Sequence, residues 1–155
     1  MVRPHLEYGN TIWGPLYKQD IDMVESVQRR ATKLVTTLKD KPYEDRLVAL
    51  DLPSMTYRRK RGDMIMMYKL VNKHVRVDFD ELFTPIPTAH NTRGHQKRVF
   101  KHHATKRPRI DSFSQRVVDN WNSLPANVIN ADSINDFKNK LDKQWKNQRY
   151  ELRDE

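Results

Sequence analysis

The chain has 155 residues, with 29 Lys and Arg against 20 Asp and Glu, a net charge of +9 and no cysteine. That length suits one domain or two small helical ones. The lack of cysteine excludes disulfides and Cys-based zinc knuckles, the basic balance points to nucleic acid or another polyanion, and no apolar run approaches the ~20 residues that cross a bilayer.

In chain order, residues 1–13 carry neither the apolar run nor the basic head of a signal peptide; the lack of cysteine is compatible with a reducing setting, and an intracellular location, nuclear or cytoplasmic, is expected. Residues 4–14 read as a short helix limited by Gly9 and Gly14-Pro15. Asp20 is a candidate N-cap. Ile21, Val24, Val27, Ala31, Leu34 and Val35 then recur at helical spacing to about Leu38, and Glu25 and Arg29 are spaced to pair on the outer face. Pro42 suits the first turn of a short helix through Leu50, which Leu52-Pro53 ends. Ser54 is the next cap. Tyr57, Arg61, Met64, Ile65, Tyr68 and Val71 mark the stripe of a longer helix to about Lys73, in which Gly62 costs about 1 kcal/mol relative to alanine.

Residues 78–83 can make one helical turn, and Pro85-Ile86-Pro87 punctuates the chain. From Leu82 through Ile110 there is no acidic residue and little periodicity. Extended or disordered coil is expected; Arg98-Val99-Phe100-Lys101 is strand-like but has no good second strand. Ser112 through Gln115 has capping-box form. Phe113, Val117, Trp121 and Leu124 form an apolar face that Pro125 stops. Ser133 caps a last helix with Asp136 near its positive end, and Ile134, Phe137, Leu141 and Trp145 form its stripe. The tail after Gln148 is expected to fray.

These elements predict a mainly α fold: a helical part over 1–83, a basic irregular connector over 84–111 and a C-terminal two-helix unit over 112–148. In that unit Phe113, Val117, Trp121, Ile134, Phe137 and Leu141 are expected to pack as a hairpin.

The basic connector carries the main functional expectation. Arg93, Lys97, Arg98, Lys101, Lys106, Arg107 and Arg109 can neutralise successive phosphates without reading bases, and Phe100 is placed to stack on one. The plain alternative is a solvated linker with no ligand. Arg58, Arg59, Lys60 and Arg61 form a second cluster, suited to nucleic acid or to nuclear localisation. On a helix, however, four successive residues point all round. At least one of them, Arg61 by its place in the stripe, must face inward and find an acidic or carbonyl partner.

His95, His102 and His103 lack metal-ligand spacing, and no nucleophile elbow surrounds Ser112 or Ser114. Paired carboxylates for two-metal chemistry are missing too: there is no Asp-Asp pair, and Asp78-Phe79-Asp80 is the nearest approach. No catalytic residue, metal site or cofactor is expected. Met64, Met66 and Met67 read as helix core and flank, and Trp13, Trp121 and Trp145 as buried anchors.

Several strings, in order, carry a resemblance. They are Arg3-Pro4-His5-Leu6-Glu7-Tyr8 with Trp13; Val27-Gln28-Arg29-Arg30-Ala31-Thr32-Lys33; Tyr43-Glu44-Asp45-Arg46-Leu47; Arg58-Arg59-Lys60-Arg61-Gly62-Asp63; Thr92-Arg93-Gly94-His95; Arg116-Val117-Val118 with Trp121-Asn122-Ser123-Leu124-Pro125; and Ser133-Ile134-Asn135-Asp136-Phe137-Lys138 with Leu141-Asp142. This order resembles the region after the polymerase core in reverse transcriptases of non-LTR retrotransposons, the jockey-like and related LINE-type elements. It spans roughly residues 2–145.

The resemblance implies that 1–83 is thumb-like, and that the parent protein is an RNA-directed DNA polymerase. It also implies that this piece, without catalytic carboxylates, contacts template RNA or an RNA–DNA duplex beside the polymerase core of that protein. A chain starting at Met1, where such proteins run on from the palm, is expected to be a decayed element copy, a truncated frame or a reused fragment. The reading from another class is a structural or protein-interaction helical module that binds no nucleic acid.

Overall fold

The computed structural model describes residues 9–12, 14, 17–87 and 94–152. Of the expected N-terminal helix only the turn at 9–12 falls among these, closed by the Ile12 N–H on the Gly9 carbonyl with Gly9 at φ +67°; Trp13 lies outside them.

The elements are helices: α1 Lys18–Lys33, α2 Tyr43–Ala49, α3 Met55–Val71, α4 Phe79–Leu82, α5 Arg107–Ile110, α6 Phe113–Ser123, α7 Ala126–Ile129 and α8 Ile134–Gln144, with 3₁₀ turns at Thr36–Leu38 and Lys146–Gln148. Among the described residues extended pairing is limited to one antiparallel bridge, Pro85 with Val99. The fold is therefore mainly α, as the periodicity predicts. Contacts divide the chain into two units, Met1–Lys60 with Trp145–Glu155, and Arg61–Gln144.

In the first unit the sequence reading of α1 needs correction. Ala31, Leu34 and Val35 are exposed, whereas Val24 is buried together with Glu25 and Thr32. Glu25 does not face outward towards Arg29. Its carboxylate accepts the Tyr43 hydroxyl at 2.5 Å and the Met55 N–H at 2.9 Å. Those bonds offset the cost of burying a charge, and the second places it at the positive end of α3. Burial, with the Glu25 carboxylate beside it, pushes the Tyr43 phenol well above its ordinary pKa.

Arg46, 2% exposed, directs its guanidinium at the carbonyls of Arg29, Lys39 and Lys41 and so ties the end of α1 to the loop before α2. Ser54 caps α3 through the Tyr57 N–H. The tail is not frayed through residue 152. The Ser54 N–H and hydroxyl donate to the carbonyls of Arg149 and Glu151, the Thr56 hydroxyl donates to that of Leu152, and the Tyr150 hydroxyl donates to Asp51. Trp145 is buried with its ring edge-on to Tyr57 at 6.3 Å.

In the second unit Met64, Met67, Tyr68 and Leu70 of α3 are buried, as are Val117, Val118 and Trp121 of α6 and Phe137 and Leu141 of α8. Tyr68 stacks on Phe137 at 4.4 Å and donates its hydroxyl to the Ala131 carbonyl at 2.7 Å. Trp121 and Phe137 lie 6.3 Å apart.

Of the expected hairpin the structure shows both helices and the Trp121–Phe137 ring contact between α6 and α8, with α7 following α6 on Pro125 as N-cap. Phe113 and Ile134 are only half-buried, and the Phe113 ring is edge-on to Phe83 at 6.0 Å. Ser133 caps α8 through the Asp136 N–H. Ser112 makes no capping bond; its hydroxyl donates to the Arg109 carbonyl at 2.7 Å, so the capping box does not form.

Candidate nucleic-acid interface

Residues 95–101 are pinned to α6 by backbone and side-chain bonds. Asn122 is the main fastener: its Oδ1 accepts the Val99 N–H at 3.0 Å, and its Nδ2 donates to the Val99 carbonyl at 2.8 Å. A side-chain amide presents the same donor and acceptor as a backbone amide, so Asn122 stands in for a neighbouring strand. On its flanks the Ile86 N–H donates to Arg98 and the Phe100 N–H to Thr84. The Trp121 indole N–H donates to the Lys97 carbonyl at 2.8 Å.

His95, 3% exposed, bonds through Nε2 to the Trp121 carbonyl at 2.9 Å. That partner is an acceptor, so Nε2 carries the proton and the buried Nδ1 has no partner among the described residues. Burial holds the imidazole below its usual pKa, with Arg98 and Lys97 adding to the effect. Gly94 adopts φ +124°, and a Cβ there would lie 3.4 Å from Arg98 Cδ.

The cations of this segment fall into different situations. The Lys97 ammonium donates to Asn72 Oδ1 at 3.0 Å, and Lys101 pairs with Asp119. Arg98 is half-buried. Lys106 and Arg109 are exposed, and among the described residues their side chains make no hydrogen bond or ion pair. Arg93 and the Arg107 side chain lie outside what the structure describes.

Phe100 is 54% exposed with its ring edge-on to His102 at 5.2 Å. His102 shares a bond with the Thr84 hydroxyl, and His103 is exposed. An exposed aromatic beside exposed cations can stack on a base while neighbouring phosphates are neutralised.

In the second cluster Arg58, Arg59 and Lys60 are half-buried on α3, and the Arg59 carbonyl accepts from Asn10. Arg61 does face inward: it holds both oxygens of Asp142, at 2.6 and 2.8 Å. Sequence reasoning missed the comparable fork of Arg116 on Asp63, at 2.8 and 3.0 Å, together with Asn72, Asp119 and Asn122. Their partners lie far along the chain, where neither periodicity nor local charge counts reach.

These contacts join residues far apart in the sequence: Asp63 with Arg116, His95 with Trp121, Arg61 with Asp142, and the Arg46 guanidinium with the Arg29 carbonyl. Among the described residues no group of three His, Asp or Glu is placed to hold a metal ion, and no helix is long and apolar enough to cross a membrane. Compared with protein-family models, with characterised proteins and with solved structures, the chain matches none.

Proposed function

We propose that the chain is a non-catalytic accessory region of a non-LTR retrotransposon reverse transcriptase that contacts template RNA or a template–primer duplex. The observation that carries the reading is the surface around Phe100. An exposed ring is followed in the sequence by Lys101, which Asp119 pairs, by His102 and His103, and further on by exposed Lys106 and Arg109, in a span of sequence that has no acidic residue of its own. Contact with phosphates and stacking there are independent of sequence, because nothing in the segment is arranged to read base edges.

Fluorescence anisotropy with oligouridylate RNA across a salt series tests the reading. If about four to six phosphates are neutralised, log K against log salt falls with a slope of roughly −3 to −5. Replacing Lys97, Arg98, Lys101, Lys106 and Arg107 by Gln weakens binding to all sequences alike and flattens the slope. Phe100→Ala costs ~1–3 kcal/mol of binding. Unchanged affinity in the five-fold variant moves the site to Arg58, Arg59 and Lys60.

A second reading, a structural or docking module, is favoured by the bonds of Lys97 to Asn72 and of Lys101 to Asp119, which use cations inside the fold. No binding by the unaltered chain at low salt decides for it.

A further inference from the structure

We infer that Lys106-Arg107-Pro108-Arg109 is a nuclear-import signal, read as an extended peptide by a carrier protein whose groove is lined with carboxylates. This goes beyond nucleic-acid contact and does not rest on it. Three cations in four positions, interrupted by a proline, suit such a groove, because charge-assisted bonds recognise the side chains while the main chain lies extended.

The structure presents this run and withholds the other one. Lys106, Pro108 and Arg109 are exposed, and residues 101–105 before them have no regular structure. Lys106 leads into a single helical turn, α5 (Arg107–Ile110), held by backbone bonds from the Arg109 and Ile110 N–H groups to the Lys106 carbonyl and from the Ser112 N–H to the Arg109 carbonyl. One turn of helix is only marginally stable in water, and Pro108 disfavours the helical conformation of the residue before it. The turn can therefore open into a groove at little cost.

Arg58-Arg59-Lys60-Arg61 differs in each respect. It lies inside the 17-residue α3, its residues are half-buried, and Arg61 is forked onto Asp142. Reading that cluster as an extended peptide would unwind a helix whose Tyr57 and Met64 are buried.

The test uses the full chain fused to a fluorescent tag too large to diffuse through nuclear pores, expressed in cultured animal cells. The unaltered fusion accumulates in the nucleus, Lys106→Gln/Arg107→Gln/Arg109→Gln leaves it in the cytoplasm, and Arg58→Gln/Arg59→Gln/Lys60→Gln does not. In parallel, purified nuclease-treated chain is titrated with a purified armadillo-repeat import carrier. The triple change at 106–109 weakens that binding by about tenfold or more, as loss of charge-assisted hydrogen bonds requires. Carrier binding unaffected by the change overturns the inference, as does a fusion that stays cytoplasmic or a triple variant that remains nuclear. A variant that leaves the nucleus yet binds the carrier normally shows retention on nucleic acid instead, and equally overturns it. Circular dichroism of the triple variant checks that the helical fold is intact.

Discussion

Asn122→Ala is the sharpest test of how the basic segment is held. It removes a donor and an acceptor together, and both bonds go to the backbone of Val99, which is 1% exposed. Each such bond contributes about 0.5–1.5 kcal/mol net, and a buried backbone group left unpartnered costs about 1–3 kcal/mol. Partial relaxation towards water brings the pair to about 2–4 kcal/mol. The loss falls first on residues 95–101, whose remaining flanking ties include the bonds from Ile86 to Arg98 and from Phe100 to Thr84.

Native-state hydrogen exchange read at the Ile86 and Phe100 amides should therefore accelerate by roughly 30- to 700-fold, at tenfold per ~1.4 kcal/mol. Asn122→Asp separates the two bonds. It keeps an acceptor for the Val99 N–H but turns an oxygen towards the Val99 carbonyl, where an N–H had donated, so at neutral pH it should cost at least as much as alanine. Exchange changed by less than about threefold in the alanine variant, or an aspartate variant that behaves like the parent, refutes the strand-mimic role.

The fork of Arg116 on Asp63 should appear in a double-mutant cycle: Arg116→Gln and Asp63→Asn each cost about 1–3 kcal/mol in urea titration, and together cost clearly less than the sum. Additive losses would show that the pair contributes no coupling. Because burial lowers the His95 pKa, the unfolded chain binds a proton that the folded chain refuses. Stability is then complete above about pH 6.5 and falls as pH drops below it, until folded His95 itself titrates. Thermal melts from pH 7.5 to 5 should lose part of that slope in His95→Gln, which can still donate to the Trp121 carbonyl; an identical slope excludes His95 as its source. Trp121→Ala should cost ~3–5 kcal/mol by calorimetry or urea titration, and a loss below ~1 kcal/mol would contradict its burial.

The helices were legible because their signal is local. Ser54 and Ser133 cap where spacing placed them, and α3 and α6 run within two residues of the expected bounds. Arg61 was legible for a steric reason, since four adjacent cations cannot all point outward; its partner Asp142, 81 positions away, was not. Glu25 was misread because a carboxylate is placed in water by default. Its burial rests on a hydroxyl from α2 and an N–H from α3, which a single-helix pattern does not contain. The candidate interface shows the same divide. The lack of acids over 82–110 is visible in the chain, yet Asn72 and Asp119, on either side of it, supply partners for Lys97 and Lys101. A local count of charge therefore overstates what the segment offers a ligand.

The bonds from residues 51–56 to residues 149–152 have a consequence for synthesis. The first unit is discontinuous, and residues 61–144 form an insertion within it. During translation the inserted unit has all its residues once Gln144 has emerged. The first unit waits for Trp145 and the strap that follows. Closing so long an interval costs only ~0.6 kcal/mol more for each doubling of its length, so the delay is one of order rather than of stability. Residues 17–60 are thus made before the inserted unit yet finished after it, and a nascent chain that has reached only Gln144 carries all of the second unit and an incomplete first one.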